Sequence, residues 1–195
     1  MNSIKDYLRK ILPPSIILWT HKVRGILAYY YYGKPSTHLK IIGVTGTNGK
    51  TTTCNMIAEI LEKANYKVGL ATTINFKIAE KEWVNKTKMT TVSPFQLQKF
   101  LKECGKANCH WVVIETTSHA IAQYRNWGIK YDIAILTNIT HDHLDYHGTY
   151  EDYRDAKAKM FTANSINIIN VDDKSAKYFS EIESKRLITY GLDKP

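Results

Sequence analysis

Thr45-Gly46-Thr47-Asn48-Gly49-Lys50-Thr51-Thr52 decides the fold. The run Lys40 to Val44 before it is apolar and β-branched and reads as a buried strand. After it comes a helical stretch from about Lys50 to Ala64, with Met56, Ile57, Ile60 and Leu61 expected on its inner face. Strand, glycine turn, Lys-Thr and helix together form the recipe for gripping a polyphosphate. Glycines let backbone N–H groups approach phosphate oxygens, and the helix N-terminus adds a positive dipole. Lys50 is then expected at the β/γ phosphates of ATP, and the Thr51 hydroxyl on Mg²⁺. Gly43 and Gly49 do not have the standard spacing, so a glycine-rich turn with no ligand is the competing reading. The flanking strand, the Gly-Lys-Thr-Thr run and the helix weigh against it.

Outward from the loop, short β-rich runs alternate with helical stretches. Strands are expected at Lys67 to Ala71, Trp111 to Ile114, Ile133 to Leu136, Ile166 to Asn170 and Arg186 to Tyr190, with a hairpin from Ile74 to Val84 turning at Glu80-Lys81. Several are continuously apolar, as in parallel strands covered on both faces. Helices are expected from Ser93-Pro94 (Ser93 as cap, with Phe95, Leu97, Phe100 and Leu101 inward), at Tyr150 to Phe161 and at Lys174 to Ile182. Alternation of this kind predicts an α/β fold, a doubly wound and mostly parallel sheet preceded by N-terminal helices. The boundary is placed near Pro35 to His38, giving an N-terminal helical segment, 1–38, and a sheet domain, 39–195.

The 195 residues are enough for one domain with a real core. Charged residues at 23% and apolar ones at 44% exclude a disordered chain. A net charge of +9 favours anionic partners. No nucleic-acid recognition motif accompanies it, so nucleotides are preferred over nucleic acid. Cys54, Cys104 and Cys109 have neither disulfide-framework nor zinc spacing, which points to a reducing cytoplasm. Residues 11–32 raise the transmembrane question, but His21, Lys22 and Arg24 lie at their middle and Pro13-Pro14 break their start. Residues 15–32 therefore read as an amphipathic helix docked on the domain; weak contact of Trp19 and Tyr29 to Tyr32 with a membrane surface is the alternative.

Three further clusters fall after predicted strands, at the carboxyl edge where open α/β sheets bind ligands. Glu115 is placed to meet a Mg²⁺ held by Thr51. Thr137 to Asp145 carries two His and two Asp on one loop, readable as a metal site or as a capped turn. Thr90-Thr91 precede a helix and can hold an anionic substrate or merely cap.

Gly43 to Thr52, Ile114-Glu115-Thr116-Thr117-Ser118-His119-Ala120 and Thr137 to Gly148 together resemble the Mur ligase family. The likeness covers about Leu39 to Gly191 and is greatest to the branch that adds the third amino acid to UDP-N-acetylmuramoyl-dipeptide. Tyr153 and Lys157, four apart, and Asn170-Val171-Asp172-Asp173 continue it. The resemblance implies a cytoplasmic ligase of peptidoglycan synthesis that uses ATP and Mg²⁺. A carboxylate is activated as an acyl phosphate and the amine of an amino acid attacks it, so the partners are a UDP-N-acetylmuramoyl-peptide and an amino acid.

By resemblance, Thr45 to Thr52 bind ATP, with Lys50 and Thr51 as the key pair. Glu115 is the first Mg²⁺ carboxylate, and His143 belongs to the second Mg²⁺. Lys157 is the lysine that becomes carbamylated and helps to place that ion. Thr90, Thr91, Thr117, Gln123 and Arg125 match the substrate side. The chain departs from the branch in three places: Thr117-Ser118 for Ser-Ser, His141 for Arg, and Thr90-Thr91-Val92-Ser93-Pro94 for Thr-Thr-Pro. About forty residues precede the loop and the chain stops at Pro195. It is therefore expected to lack the family's terminal domains, which the rest of a longer chain or a partner would supply, and to bind nucleotide without completing ligation alone. A folylpolyglutamate synthetase-like ligase and a non-catalytic ATP-binding module are the competing functions.

Overall fold

The computed structural model describes residues 13–87, 89–140 and 144–192, the side chains of 144 and 145 excepted. Eight strands form one sheet: β1 (Lys40–Thr45), β2 (Val68–Ala71), β3 (Asn75–Ile78), β4 (Lys81–Val84), β5 (Trp111–Glu115), β6 (Ile133–Leu136), β7 (Ile166–Asn170) and β8 (Arg186–Tyr190). Their spatial order is β4-β3-β2-β5-β1-β6-β7-β8. Pairing is parallel from β2 to β8, whereas β3 and β4 are antiparallel and form the hairpin at one edge. The doubly wound, mostly parallel sheet expected from the alternation is present.

Seven helices are described: α1 (Pro14–Tyr31), α2 (Lys50–Lys63), α3 (Pro94–Lys106), α4 (Ser118–Ala122), α5 (Leu144–His147), α6 (Tyr150–Ala158) and α7 (Ala176–Ser180). A 3₁₀ turn, Pro35–His38, joins α1 to β1. Strand alternation sorts the core into two layers. Ile41 of β1 and Val112 and Ile114 of β5 face Leu97, Phe100 and Leu101 of α3. Ile42, Val44 and Val113 face Cys54 and Ala58 of α2 on the other side. Burial pushes the Cys54 thiol well above its ordinary pKa, with Glu115 adding to the effect, so Cys54 is a neutral packing group.

Capping explains the start of α3. The Ser93 hydroxyl accepts from Gln96 N–H, the Gln96 side chain returns to the Ser93 backbone, and Pro94 fills the first helical position. Two inward faces differ from expectation. In α2, Met56 is 59% and Ile60 68% exposed, and the sheet is met by Cys54, Ile57, Ala58 and Leu61 instead. In α3, Phe95 is exposed and lies beside the rings of Tyr31 and Tyr32, while Cys104 takes the buried place. The helices expected over 150–161 and 174–182 are real but shorter, and α4 and α5 were not foreseen.

α1 is docked through one face. A Cβ added to Gly25 would lie 2.6 Å from the Tyr124 carbonyl oxygen and 2.8 Å from Trp127 Cβ. Tyr29 packs edge-on against Trp127. Close approach also governs the sheet centre, where a Cβ on Gly43 would meet the Tyr131 ring at 2.5 Å and Met160 Sδ at 2.9 Å. Gly43→Ala is therefore expected to cost about 2 kcal/mol of overpacking, lowering Tm by roughly 4–8 °C. Gly105→Ala, on α3 with nothing within 4 Å of the added atom, should instead stabilise by about 0.5–1 kcal/mol through helix propensity. Thermal unfolding of both variants checks the contrast.

Candidate active site

The glycine loop sits between β1 and α2, at the carboxyl edge of the sheet. Gly46 has no room for a side chain, since a Cβ there would fall 1.9 Å from Thr137 Oγ1. The residues following β6 hold the loop from below. Thr47 N–H donates to the Asn138 carbonyl at 2.7 Å. Asn48 N–H donates to Asn138 Oδ1 at 2.9 Å, and Asn138 Nδ2 donates back to the Asn48 carbonyl at 3.1 Å. Thr137 Oγ1 donates to that same carbonyl at 2.7 Å. The loop is thus fixed before any ligand arrives.

Gly49 is the N-cap of α2, left-handed at φ 80°, and offers no side-chain cap. The first N–H groups of α2 therefore open toward the loop. Lys50 arches over it and donates from Nζ to the Thr47 carbonyl at 2.7 Å. Uncapped helix amides, a fixed glycine turn and a lysine make an anion cradle. Thr45 differs from its neighbours. It is fully buried, and its carbonyl accepts Thr137 N–H, so it anchors the loop from the core side.

Beside the cradle, Thr51 Oγ1 donates to Glu115 Oε2 at 2.8 Å. Glu115, 2% exposed, also accepts at Oε2 from Thr73 N–H at 2.8 Å and Thr73 Oγ1 at 3.0 Å. A buried carboxylate held by neutral donors next to a hydroxyl is a hard-oxygen pair suited to Mg²⁺. Thr73 carried no sequence signal; it is brought in by the turn between β2 and β3.

Lys157 and Tyr153, four apart on α6, share its inner face. Lys157 is 1% exposed and donates from Nζ to the Gly46 carbonyl at 2.8 Å. Its Nζ lies 4.5 Å from the Tyr153 ring centre. Tyr153 OH and Thr47 Oγ1 are hydrogen-bonded at 3.1 Å. Both side chains thus reach the underside of the same loop. His147 pairs with the buried Ser118 hydroxyl at 2.9 Å and packs at a tilt against the Tyr153 ring, a connection sequence spacing did not reveal. His141, Asp142 and His143, the centre of the expected metal loop, lie outside the described residues. Among the described residues no group of three or more His, Cys, Asp or Glu could hold a metal.

The substrate-side set is brought together. Thr91 Oγ1 donates to the Glu115 carbonyl at 3.2 Å and accepts from Thr117 N–H at 3.4 Å. Arg125 donates from Nη1 to the Thr91 carbonyl at 2.7 Å and from Nε and Nη2 to Gln123 Oε1 at 3.1 and 2.7 Å. Gln123 Nε2 in turn donates to Tyr146 OH at 3.2 Å. Thr117 caps α4 through Ala120 N–H. Thr90 is half-exposed one residue before the cluster. Burial lowers the Arg125 pKa from the ordinary arginine value; Tyr146 opposes the shift and Arg24 adds to it. A guanidinium stays charged at neutral pH through such a shift.

Residues 44–195 match the Mur ligase middle domain. The chain is 38% identical over 191 residues to a UDP-N-acetylmuramoyl-L-alanyl-D-glutamate–2,6-diaminopimelate ligase of Bacillus velezensis, 42% over 178 to one of Clostridium botulinum and 41% over 182 to one of Aquifex aeolicus. These alignments cover 93%, 90% and 92% of the chain but 39%, 36% and 37% of the relatives, so the chain spans well under half their length. A solved structure of a ligase with the same name superposes with a TM-score of 0.74 at 30% identity, over 94% of this chain and 38% of that one. A bifunctional folylpolyglutamate synthase/dihydrofolate synthase from Yersinia pestis, complexed with AMPPNP and Mn ion, superposes with a TM-score of 0.67 at 22% identity, over 96% and 50%; it shares the fold. With its phosphate loop, buried strand-end glutamate and matching middle domain, this chain belongs to the Mur ligase family.

Proposed function

We propose that the chain is the ATP-binding part of a ligase that adds an amino acid to a UDP-N-acetylmuramoyl-peptide in peptidoglycan synthesis, in the cytoplasm. The observation that carries this is the uncapped N-terminus of α2 beneath Lys50, beside the Thr51–Glu115 pair. In this reading Gly46 to Thr52 grip the β and γ phosphates, and Lys50 balances charge that builds on the γ-phosphoryl group. Thr51 and Glu115 would hold Mg²⁺, which supplies charge neutralisation between the phosphates. His143 and a carbamylated Lys157 would serve a second ion. Carbamylation requires the neutral Lys157 amine to add to CO₂ and release a proton.

Arg125 and Thr91, with Thr90, Thr117 and Gln123 around them, would orient the peptide carboxylate toward the γ-phosphate. The carboxylate oxygen attacks phosphorus and ADP leaves. The amino acid's amine then attacks the acyl carbon, forming the amide and releasing phosphate. The relatives' names point to 2,6-diaminopimelate as that amino acid. Residues 39–195 are taken as the central ATP-binding domain and 1–38 as a helical segment before it. Domains that complete the substrate site would come from further chain or a partner. A folylpolyglutamate synthetase-like reaction is less well supported, because those neighbours share the fold at 22% identity or less.

Lys50→Ala should weaken Mg²⁺-dependent ATP binding at least about tenfold, a loss of about 1.4 kcal/mol, by isothermal titration. Unchanged affinity would remove the cradle from the proposal. Glu115→Gln keeps the shape of the hydrogen-bonded site but loses its charge. ATP affinity titrated against Mg²⁺ should then lose most of its metal dependence, whereas a purely structural Glu115 would leave that dependence intact. For Lys157, ¹³C-labelled bicarbonate should give a carbamate carbon resonance that disappears in Lys157→Arg; no resonance in the native protein contradicts the assignment.

A further inference from the structure

α1 has two apolar faces and the domain uses one. Gly25 and Ala28 are buried, Gly25 against Tyr124 and Trp127. Helical spacing puts Ile16, Trp19, Val23 and Leu27 on the opposite side, in a stripe about 17 Å long. Trp19 and Leu27 are 65% and 56% exposed. Lys22 and Arg24, both exposed, flank the stripe, and Lys34 follows it. The charge around it is one-sided. No Asp or Glu occurs between Asp6 and Glu59, and the part of that interval up to the end of α1 and the turn after it holds Arg9, Lys10, Lys22, Arg24 and Lys34.

We propose that α1 docks this protein on an anionic lipid surface, lying in the plane of the interface. Trp19 and Leu27 would enter the boundary between headgroups and acyl chains, where an indole ring is favoured. Lys22 and Lys34, beside the stripe, would meet the anionic headgroups. No described helix is long and apolar enough to cross a membrane, so the contact is peripheral. A second helix packed on the stripe would also bury it, but would give no reason for the acid-free run; an anionic surface gives one. The docked face of α1 stays on α3 and on residues 124–128, so binding requires no unfolding.

The test uses the full chain and vesicle co-sedimentation. Vesicles of phosphatidylcholine with phosphatidylglycerol should bind it, and phosphatidylcholine alone at least about tenfold more weakly. High salt should weaken the anionic binding. The double variant Trp19→Glu/Leu27→Glu changes only exposed side chains and should lose at least about tenfold in partitioning. Its Tm and ATP affinity should match those of the native chain, which separates the result from the nucleotide-site proposal. No binding to anionic vesicles, or equal binding by the double variant, overturns the inference. Self-association seen by sedimentation equilibrium, abolished by the same substitutions and without vesicle binding, also overturns it and assigns the stripe to a second copy of the chain.

Discussion

The site depends on the contact between Gly46 and the Thr137-Asn138 edge of β6. β1 and β6 are neighbours in the sheet, so the loop leaving one and the loop leaving the other must pass each other at van der Waals distance. Only a residue without a side chain can stand at position 46 there. Once it does, Asn138 closes on Asn48 from both ends of its amide, and Thr137 takes the remaining carbonyl. The loop then cannot collapse onto the start of α2. Amides that would otherwise seek a local cap stay open, and that openness makes the cradle an anion site.

From this fixed loop the other chemistry spreads through short links. Glu115 ties Thr51 and Thr73 together through its carboxylate, and its carbonyl reaches Thr91, which Arg125 grips. Glu115 and Arg125 are therefore joined through Thr91 by two hydrogen bonds. The cations follow one rule of placement. Lys50 and Arg125 each donate to a backbone carbonyl, of Thr47 and Thr91. Such a bond fixes the direction of a cation without cancelling its charge, which suits groups meant to meet phosphates and carboxylates.

The strands were legible because burial on both faces forces continuous apolar runs. Trp111–Glu115 and Ile133–Leu136 show this, whereas Arg186–Tyr190 at the sheet edge is mostly exposed and was legible from its β-rich residues instead. The inner face of α2 was not legible, because size misleads there. Met56 and Ile60 look like core, but the buried stripe runs through Cys54, Ile57, Ala58 and Leu61, and those two residues lie on the side of the helix turned away from the sheet. α4 and α5 are too short to show a period of their own. In the site, Lys50, Thr51 and Glu115 could be read as motif residues. A partner that holds one of them could not. Thr73, which holds Glu115, is an ordinary polar residue in sequence, and only the sheet topology brings it to the site.

The sheet also explains why the basic N-terminal segment and the nucleotide site are compatible. α1 packs on α3 and on the 124–128 segment, which contains Arg125. Arg24 is near enough to lower the Arg125 pKa. Gly25 and the Tyr29 ring hold α1 on Trp127, so the helix that carries Arg24 is fixed by close packing beside the segment that carries Arg125.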